Sequence, residues 1–261
     1  MRDLPRLAGS GTHYRIAVLN ADGDPTDNIF EVPSVTSILD AVLAKPALPN
    51  WYYSIALKGV SELLTKYGPK LPSDPDSLKT LLRNEHLTPL HIRDAAGERG
   101  RDLHDSLEVM AAGKSPGDDP RLAPLVSWWE RAGLTSSHIK ATEEVLVSFK
   151  HGFAGTLDLV YVDPATDAVT LADLKTGSGV YWSHFLQLAA YKLAWEEDRR
   201  NPRIDRSVVL HLNDSVGLAV KEDPTVTTDD FLNVLSIYTA MTGKGLSRYR
   251  PKPKRTRKVA K

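Results

Sequence analysis

The sequence predicts an α/β protein, of the α+β kind, with a mostly helical first half. Two observations carry this. After an opening hairpin, apolar residues recur at helical spacing, with capping and stopping residues between the runs. From residue 143 the period changes: EEVLVSFK, GTLDLVYV and AVTLADLK are three short β-rich segments parted only by HGF and DPATD, followed by a long helical stretch and a fourth β-rich run, RSVVLHLN.

Taken in order, residues 13–20 and 28–33 flank the turn-rich ADGDPTD and read as a hairpin. Ser34 or Ser37 caps a short helix ending near Ala44. A longer helix runs from about Trp51 to Tyr67, with Leu57, Val60, Leu63 and Leu64 on one stripe. Segment 75–112 continues as helices interrupted at Gly97 and Gly100, the last of them ended by Gly113, and PRLAPLVSWWERAG is another helix, closed by Gly133. The three β-rich segments are close enough to form an antiparallel meander. A helix over about Trp182 to Arg199, the fourth strand, and an amphipathic helix over 227–242 capped by Thr227 or Thr228 complete the order. The expected division is a hairpin-and-helix region over 1–99, a core over 100–247, and a disordered basic tail over 248–261.

Composition narrows the chemistry. With no cysteine, disulfides, thiolate nucleophiles and cysteine-held iron–sulfur clusters are excluded, so a metal must sit on His, Asp or Glu. No apolar run approaches the ~20 residues of a membrane span, and the N-terminus lacks the apolar stretch of a secretory signal, so a cytoplasmic protein with no membrane partner is expected. The net charge of zero conceals an asymmetry: residues 248–261 hold eight Lys/Arg and no acid, leaving 25 basic against 33 acidic residues before them. Arg248, Arg250, Lys252, Lys254, Arg255, Arg257 and Lys258 thus form either a cationic arm for a polyanion or a merely solvated end.

The residues that carry chemistry lie on the meander. Side chains alternate along a strand, so Asp173 and Lys175 share one face while Leu174 points to the other, and Asp158 lies on the neighbouring strand. Acids are depleted from strands, and two carboxylates brought together resist joint ionisation unless a cation compensates. Mg²⁺ suits such oxygen ligands and keeps waters that a phosphate can displace; Lys175 then orients or helps deprotonate the attacking water. A lone D-x-K is more often a structural ion pair, so other residues must join it. Gln187 and Tyr191, four apart, share a helix face just after this strand and can brace the lysine or touch a phosphate. His104 lies where an imidazole can reach the metal, and Glu143 or its neighbour Glu144 opens the first strand and can hold a metal-bound water. Each of these three also has a bland reading as helix boundary, surface histidine or solvated strand end.

The ordered set His104, Glu143, GTLD at 155–158, DLKTG at 173–177 and QLAAY at 187–191 resembles the RecB-like branch of the PD-(D/E)XK nucleases, and is similar in particular to the Cas4-type exonucleases of actinobacterial phages; SVTSILDAVLAKPALPNWYY resembles their N-terminal portion. The resemblance spans roughly residues 30–195. It implies a restriction-endonuclease-like core with a central mixed β-sheet flanked by helices. It further implies His104, Asp158, Asp173 and the backbone carbonyl of Leu174 as metal ligands, Lys175 as catalytic lysine, Gln187 and Tyr191 as its support, and Thr176 beside the DNA. Many Cas4 proteins hold an iron–sulfur cluster on cysteines; its absence here leaves Mg²⁺ or Mn²⁺ as the expected cofactor. The expected activity is exonucleolytic hydrolysis of DNA in phage recombination, replication or repair, with a single-strand annealing or recombination protein as a further partner. A flap or branch endonuclease, or an idle DNA-binding protein of the same fold, are the rival expectations.

Overall fold

A computed structural model describes residues 6–7, 13–19, 25–213, 217–243 and 247–248. Nine strands and seven α-helices lie among them. Strands β1 (Arg6–Leu7), β2 (His13–Leu19) and β3 (Pro25–Pro33) are followed by helices α1 (Val35–Val42), α2 (Ala47–Tyr67), α3 (Pro75–Asn84), α4 (Pro89–Ala111) and α5 (Ala123–Arg131). Then come β4 (Ile139–Ser148), β5 (Phe153–Val162), β6 (Val169–Lys175), α6 (Trp182–Glu197), β7 (Arg206–Asn213), β8 (Gly217–Lys221), α7 (Thr228–Thr242) and β9 (Ser247–Arg248).

The centre is a five-stranded mixed sheet in the order β4-β5-β6-β7-β8. Its first three strands are the antiparallel meander, β7 joins β6 in parallel across the α6 crossover, and β8 closes the far edge antiparallel to β7. Helices cover both faces because alternate residues of the inner strands are apolar on both sides. Leu171, Val160 and Val209 are buried with Ile38 of α1, Leu186 and Trp195 of α6 and Phe231 of α7. Ala172, Leu174, Val208 and Leu210 are buried on the opposite side with Leu103 and Leu107 of α4 and Leu125 and Trp128 of α5. The sheet is therefore the middle of three layers, an α/β architecture. The opening hairpin, with β1 and β9 on its edges, makes a second small sheet, tied to the first by the Tyr14 hydroxyl and Thr156 Oγ1 at 2.9 Å.

Local chemistry sets the helix ends. Ser34 accepts the Ser37 N–H, Asp74 that of Ser77, Thr88 that of His91 and Thr227 that of Asp230, each supplying an oxygen to an otherwise unpaired first-turn amide. Several expectations are corrected. Gly97 and Gly100 do not interrupt the helix: α4 is continuous from Pro89 to Ala111. Two glycines cost about 1 kcal/mol each in a helix, which a 23-residue helix with a buried apolar face absorbs. The stripe on α2 is not a buried face either: Leu63 is buried, while Leu57 and Leu64 are half exposed. The strand GLAVK was not expected. Arg248 is already paired, through β9, with Phe30 of β3, while the rest of the tail, Arg250, Lys252, Lys254, Arg255, Arg257 and Lys258 included, lies outside the described residues. No helix among the described residues is long and apolar enough to cross a membrane.

Candidate metal centre

Strands β5 and β6 pair from Val162↔Val169 to Leu159↔Ala172 and then part. The amide of Leu174, which continued pairing would direct at the β5 backbone, donates instead to Asp158 Oδ2 at 2.6 Å. An obligatory backbone donor is thereby satisfied by a carboxylate, which fixes the Asp158 side chain in the fork between the strands. Across β4, the pairs Thr142↔Leu159 and Glu144↔Leu157 place Glu143 opposite Asp158. Glu143 has φ of +47°, a left-handed conformation rare for a non-glycine residue and characteristic of functional positions that redirect a side chain. From α4, on the helical side, His104 completes the group: its Nδ1 lies 3.4 Å from Asp158 Oδ2 and 3.5 Å from Glu143 Oε1.

One ligand atom from each of His104, Glu143 and Asp158 lies within 4.8 Å of the others. Two residues expected as ligands lie beside this group. Asp173 faces Lys175, whose Nζ is 2.5 Å from Asp173 Oδ2, and the N–H of Leu174 donates to Asp158. Glu143, expected at the metal through a bound water or as a partner of its ligands, stands beside His104 and Asp158.

Electrostatics sharpen the picture. Asp173 is completely buried and neither of its carboxylate oxygens has a hydrogen-bond partner; its approach to Lys175 is a charge contact without directed hydrogen-bond geometry. Burial pushes its carboxyl above the ordinary carboxylate range, Lys175 opposes that, and the negative Asp158 adds to it. Lys175 loses hydration too, but Asp173 and Asp158 together outweigh this and hold it charged. One ammonium shared by two acids is enough for the lysine and too little for Asp173. Burial also disfavours a charged His104, yet hydrogen bonding to Asp158 and Glu143 prevails and raises it to about 10, so the imidazole is a cation.

Three donors, from His104, Glu143 and Asp158, converge beside the buried Asp173 Oδ1, which has no hydrogen-bond partner, and this set fits a divalent cation. Two carboxylates suit Mg²⁺ or Mn²⁺, and the imidazole favours the transition ion. Among the four flanking side chains exposure rises from none at Asp173 through 9% at Asp158 and 27% at His104 to 33% at Glu143, so the centre opens toward α4 and β4.

Behind Asp173 stands α6. Gln187 Nε2 donates to the Tyr191 hydroxyl at 2.7 Å, and both residues are buried. Burial, then the charge of Asp173, raises the Tyr191 phenol well above its usual range, so it keeps its proton. A Cβ on Gly155 of β5 would lie 2.4 Å from Tyr191 Cε1; glycine is what lets the ring come this close to the strand. Thr176 follows Lys175, and Gly100 approaches it so closely that a Cβ there would lie 3.3 Å from Thr176 Oγ1. Sequence reasoning passed over Tyr181, Trp182 and His211; the pairing of His211 with Lys175 follows from a parallel register that the sequence does not display.

No protein-family model and no curated protein matches the chain. Among solved structures it is similar to one titled "Crystal structure of SSO0001", with a TM-score of 0.32 and 10% identity over 46% of this chain. The chain spans little more than half, 57%, of that protein.

Proposed function

We propose that this chain is a divalent-metal-dependent deoxyribonuclease with a PD-(D/E)XK core, hydrolysing phosphodiester bonds from a DNA end. The observation that supports it most is Asp173: a fully buried carboxylate 2.5 Å from the Lys175 ammonium on one oxygen, without a hydrogen-bond partner on the other, and one strand from a second acid. A purely structural ion pair would be completed by hydrogen bonds, because an unsatisfied buried charge costs several kcal/mol, roughly. Leaving it incomplete is consistent with a site shaped for a cation.

Asp158, Glu143 and His104 would hold the ion, with Asp173 at its inner side. Bound there, a divalent ion supplies Lewis-acid polarisation of a phosphoryl oxygen and a more acidic water. The chain's own groups do the rest. Lys175, kept as an ammonium, donates hydrogen bonds; it orients a water or a phosphate oxygen and neutralises charge that develops on it. Gln187 and Tyr191 form a dry, hydrogen-bonded wall behind the acids and limit their movement. To hold a metal, His104 would have to be without the proton that Asp158 and Glu143 now help it keep.

The test is hydrolysis of end-labelled linear DNA by the purified protein in Mg²⁺ or Mn²⁺, with EDTA and Lys175→Met as controls. Metal-dependent release of nucleotides that both controls abolish supports the proposal. Equal cleavage by Lys175→Met refutes the site, and rapid nicking of covalently closed circles replaces the exonuclease with an endonuclease.

A further inference from the structure

Strand β6 ends at Lys175, which lies opposite His211 of the parallel strand β7. Past this pair the ladder stops, and the chain passes through the link 176–181 to α6, which begins at Trp182. A Cβ built on Gly177 would meet nothing within 4 Å, so packing does not hold the chain at this position. Glycine loses more freedom than any other residue when it is fixed, and something else must supply the restraint. A hydrogen bond does: the Gly177 carbonyl lies 2.8 Å from His211 Nε2. A carbonyl only accepts, so Nε2 carries the hydrogen.

We infer that His211 is a positioning residue for Lys175: by holding the Gly177 carbonyl it fixes the direction in which the chain leaves β6, and with it the place of the ammonium beside Asp173. The inference rests on the nuclease reading for the task of Lys175, whereas the hold on the link is a matter of geometry alone. Restraint reaches this link from three sides. Thr176, between Lys175 and Gly177, is approached by α4, where a Cβ on Gly100 would lie 3.3 Å from Thr176 Oγ1. The far end is closed by the Tyr181 N–H, which donates to His184 Nδ1 at 3.3 Å. His211 supplies the third side from β7, a strand paired along both edges, by β6 and β8. Sites held by strands are more precise than sites held by loops alone, and here the strand steadies the loop. Precision matters at Lys175 because its long, flexible stem transmits any backbone shift to Nζ. A misplacement of about 1 Å at a reacting centre can cost about a hundredfold in rate. Loss of one hydrogen bond that limits such movement is expected to cost less, about tenfold.

The test uses the full chain and three variants: His211→Phe and His211→Leu, which lack the donor, and His211→Gln, whose side-chain amide nitrogen can replace Nε2. His211 is only partly buried at its strand end, so all three are expected to melt near the wild-type temperature. In hydrolysis of linear DNA with Mn²⁺, both donorless variants should lose about tenfold in kcat with KM unchanged, and His211→Gln should recover most of the loss. A rise in KM at unchanged kcat, or an equal loss in His211→Gln, overturns the positioning role. A second readout needs neither metal nor turnover: carbon-13 NMR in EDTA of protein labelled at lysine Cε, with the Lys175 signal identified by its absence in Lys175→Met. That signal should shift in His211→Phe and His211→Leu and return toward its wild-type position in His211→Gln. The two readings fail separately. A wild type that hydrolyses no DNA in Mg²⁺ or Mn²⁺ overturns the nuclease while the NMR signal still decides the role of His211; hydrolysis with a Lys175 signal unmoved in both donorless variants overturns the role of His211 alone.

Discussion

The Leu174 amide donates to Asp158 Oδ2 at 2.6 Å, joining two strands at the point where their ladder ends. Asp158 thus has a structural and a chemical task, and two substitutions separate them. Asp158→Ala leaves a buried amide unpaired and His104 short of an anion, so it should lose about 2 kcal/mol of stability as well as activity. Asp158→Asn keeps a carbonyl oxygen for the amide and should recover most of the stability, yet remain inactive by a factor of roughly a hundred or more because the carboxylate charge is gone. Urea denaturation beside nuclease assays checks this; equal stability losses in the two variants would rule it out.

Gly155 and Tyr191 are matched in shape. Gly155→Ala drives a methyl into the Tyr191 ring, and overpacking of this kind costs about 1–3 kcal/mol. Trimming the ring in Gly155→Ala/Tyr191→Leu should regain stability relative to Gly155→Ala, a non-additive cycle that only direct contact produces. Activity should stay low in the pair, because the Gln187–Tyr191 hydrogen bond behind Asp173 is lost.

These contacts mark how far the sequence could be read. The meander, the helix and strand after it, and the shared face of Asp173 and Lys175 were legible because periodicity, β-branched content and short turns are local signals. Asp158, Glu143 and His104 were legible as residues, but not as a group. Glutamate does not advertise a left-handed backbone, and the meeting of α4 with β4 depends on tertiary packing. The strand Gly217–Lys221 was missed because it is short, half exposed and at an edge, so it shows little alternation. Gly97 and Gly100 misled because glycine was read as a stop, when at Gly100 it serves close approach to Thr176.

Lys175 supports Asp173 before any metal does. Lys175→Met strands a buried carboxylate, and breaking such a pair costs about 3 kcal/mol, the low end of the buried range because 22% of the lysine side chain stays exposed. Added Mn²⁺ should raise the melting temperature of Lys175→Met more than that of wild type, since the ion replaces the missing positive charge. Thermal scans with and without Mn²⁺ decide the matter, and an equal rise in both proteins would contradict it.

The same balance sets a pH dependence. His104 is raised to about 10 in the folded protein from 6.5, so its ion pairs contribute stability fully below pH 6.5 and lose it as pH climbs through 10. Burial raises Asp173 as well, which favours its protonated form toward acid pH. A metal ion needs both groups deprotonated, so its binding must release protons and its affinity must rise with pH. Titration calorimetry of Mn²⁺ in buffers of different ionisation enthalpy should show net proton release near neutral pH, smaller at higher pH. His104→Gln should reduce that release. An affinity flat between mildly acid and mildly alkaline pH would exclude His104 from the ligand set.

The basic end of the chain makes a separate, electrostatic prediction. Residues 249–261 carry seven Lys/Arg and no acid, while the remainder is net acidic, so any long-range attraction for phosphate is concentrated there. Each phosphate neutralised releases about 0.7 of a counterion from a single strand, which appears as slope in a plot of log affinity against log salt. Deleting 249–261 should therefore weaken oligothymidylate binding at low salt and flatten the slope by roughly two to four, with base preference unchanged because phosphate contacts carry no sequence information. The turnover rate at saturating DNA should also stay near that of the full chain, because the deletion leaves Asp158, Asp173 and Lys175 in place. A slope identical in the two proteins would mean that these seven charges are only solvated, and that the cations beside the site, Lys175 foremost, supply the affinity alone.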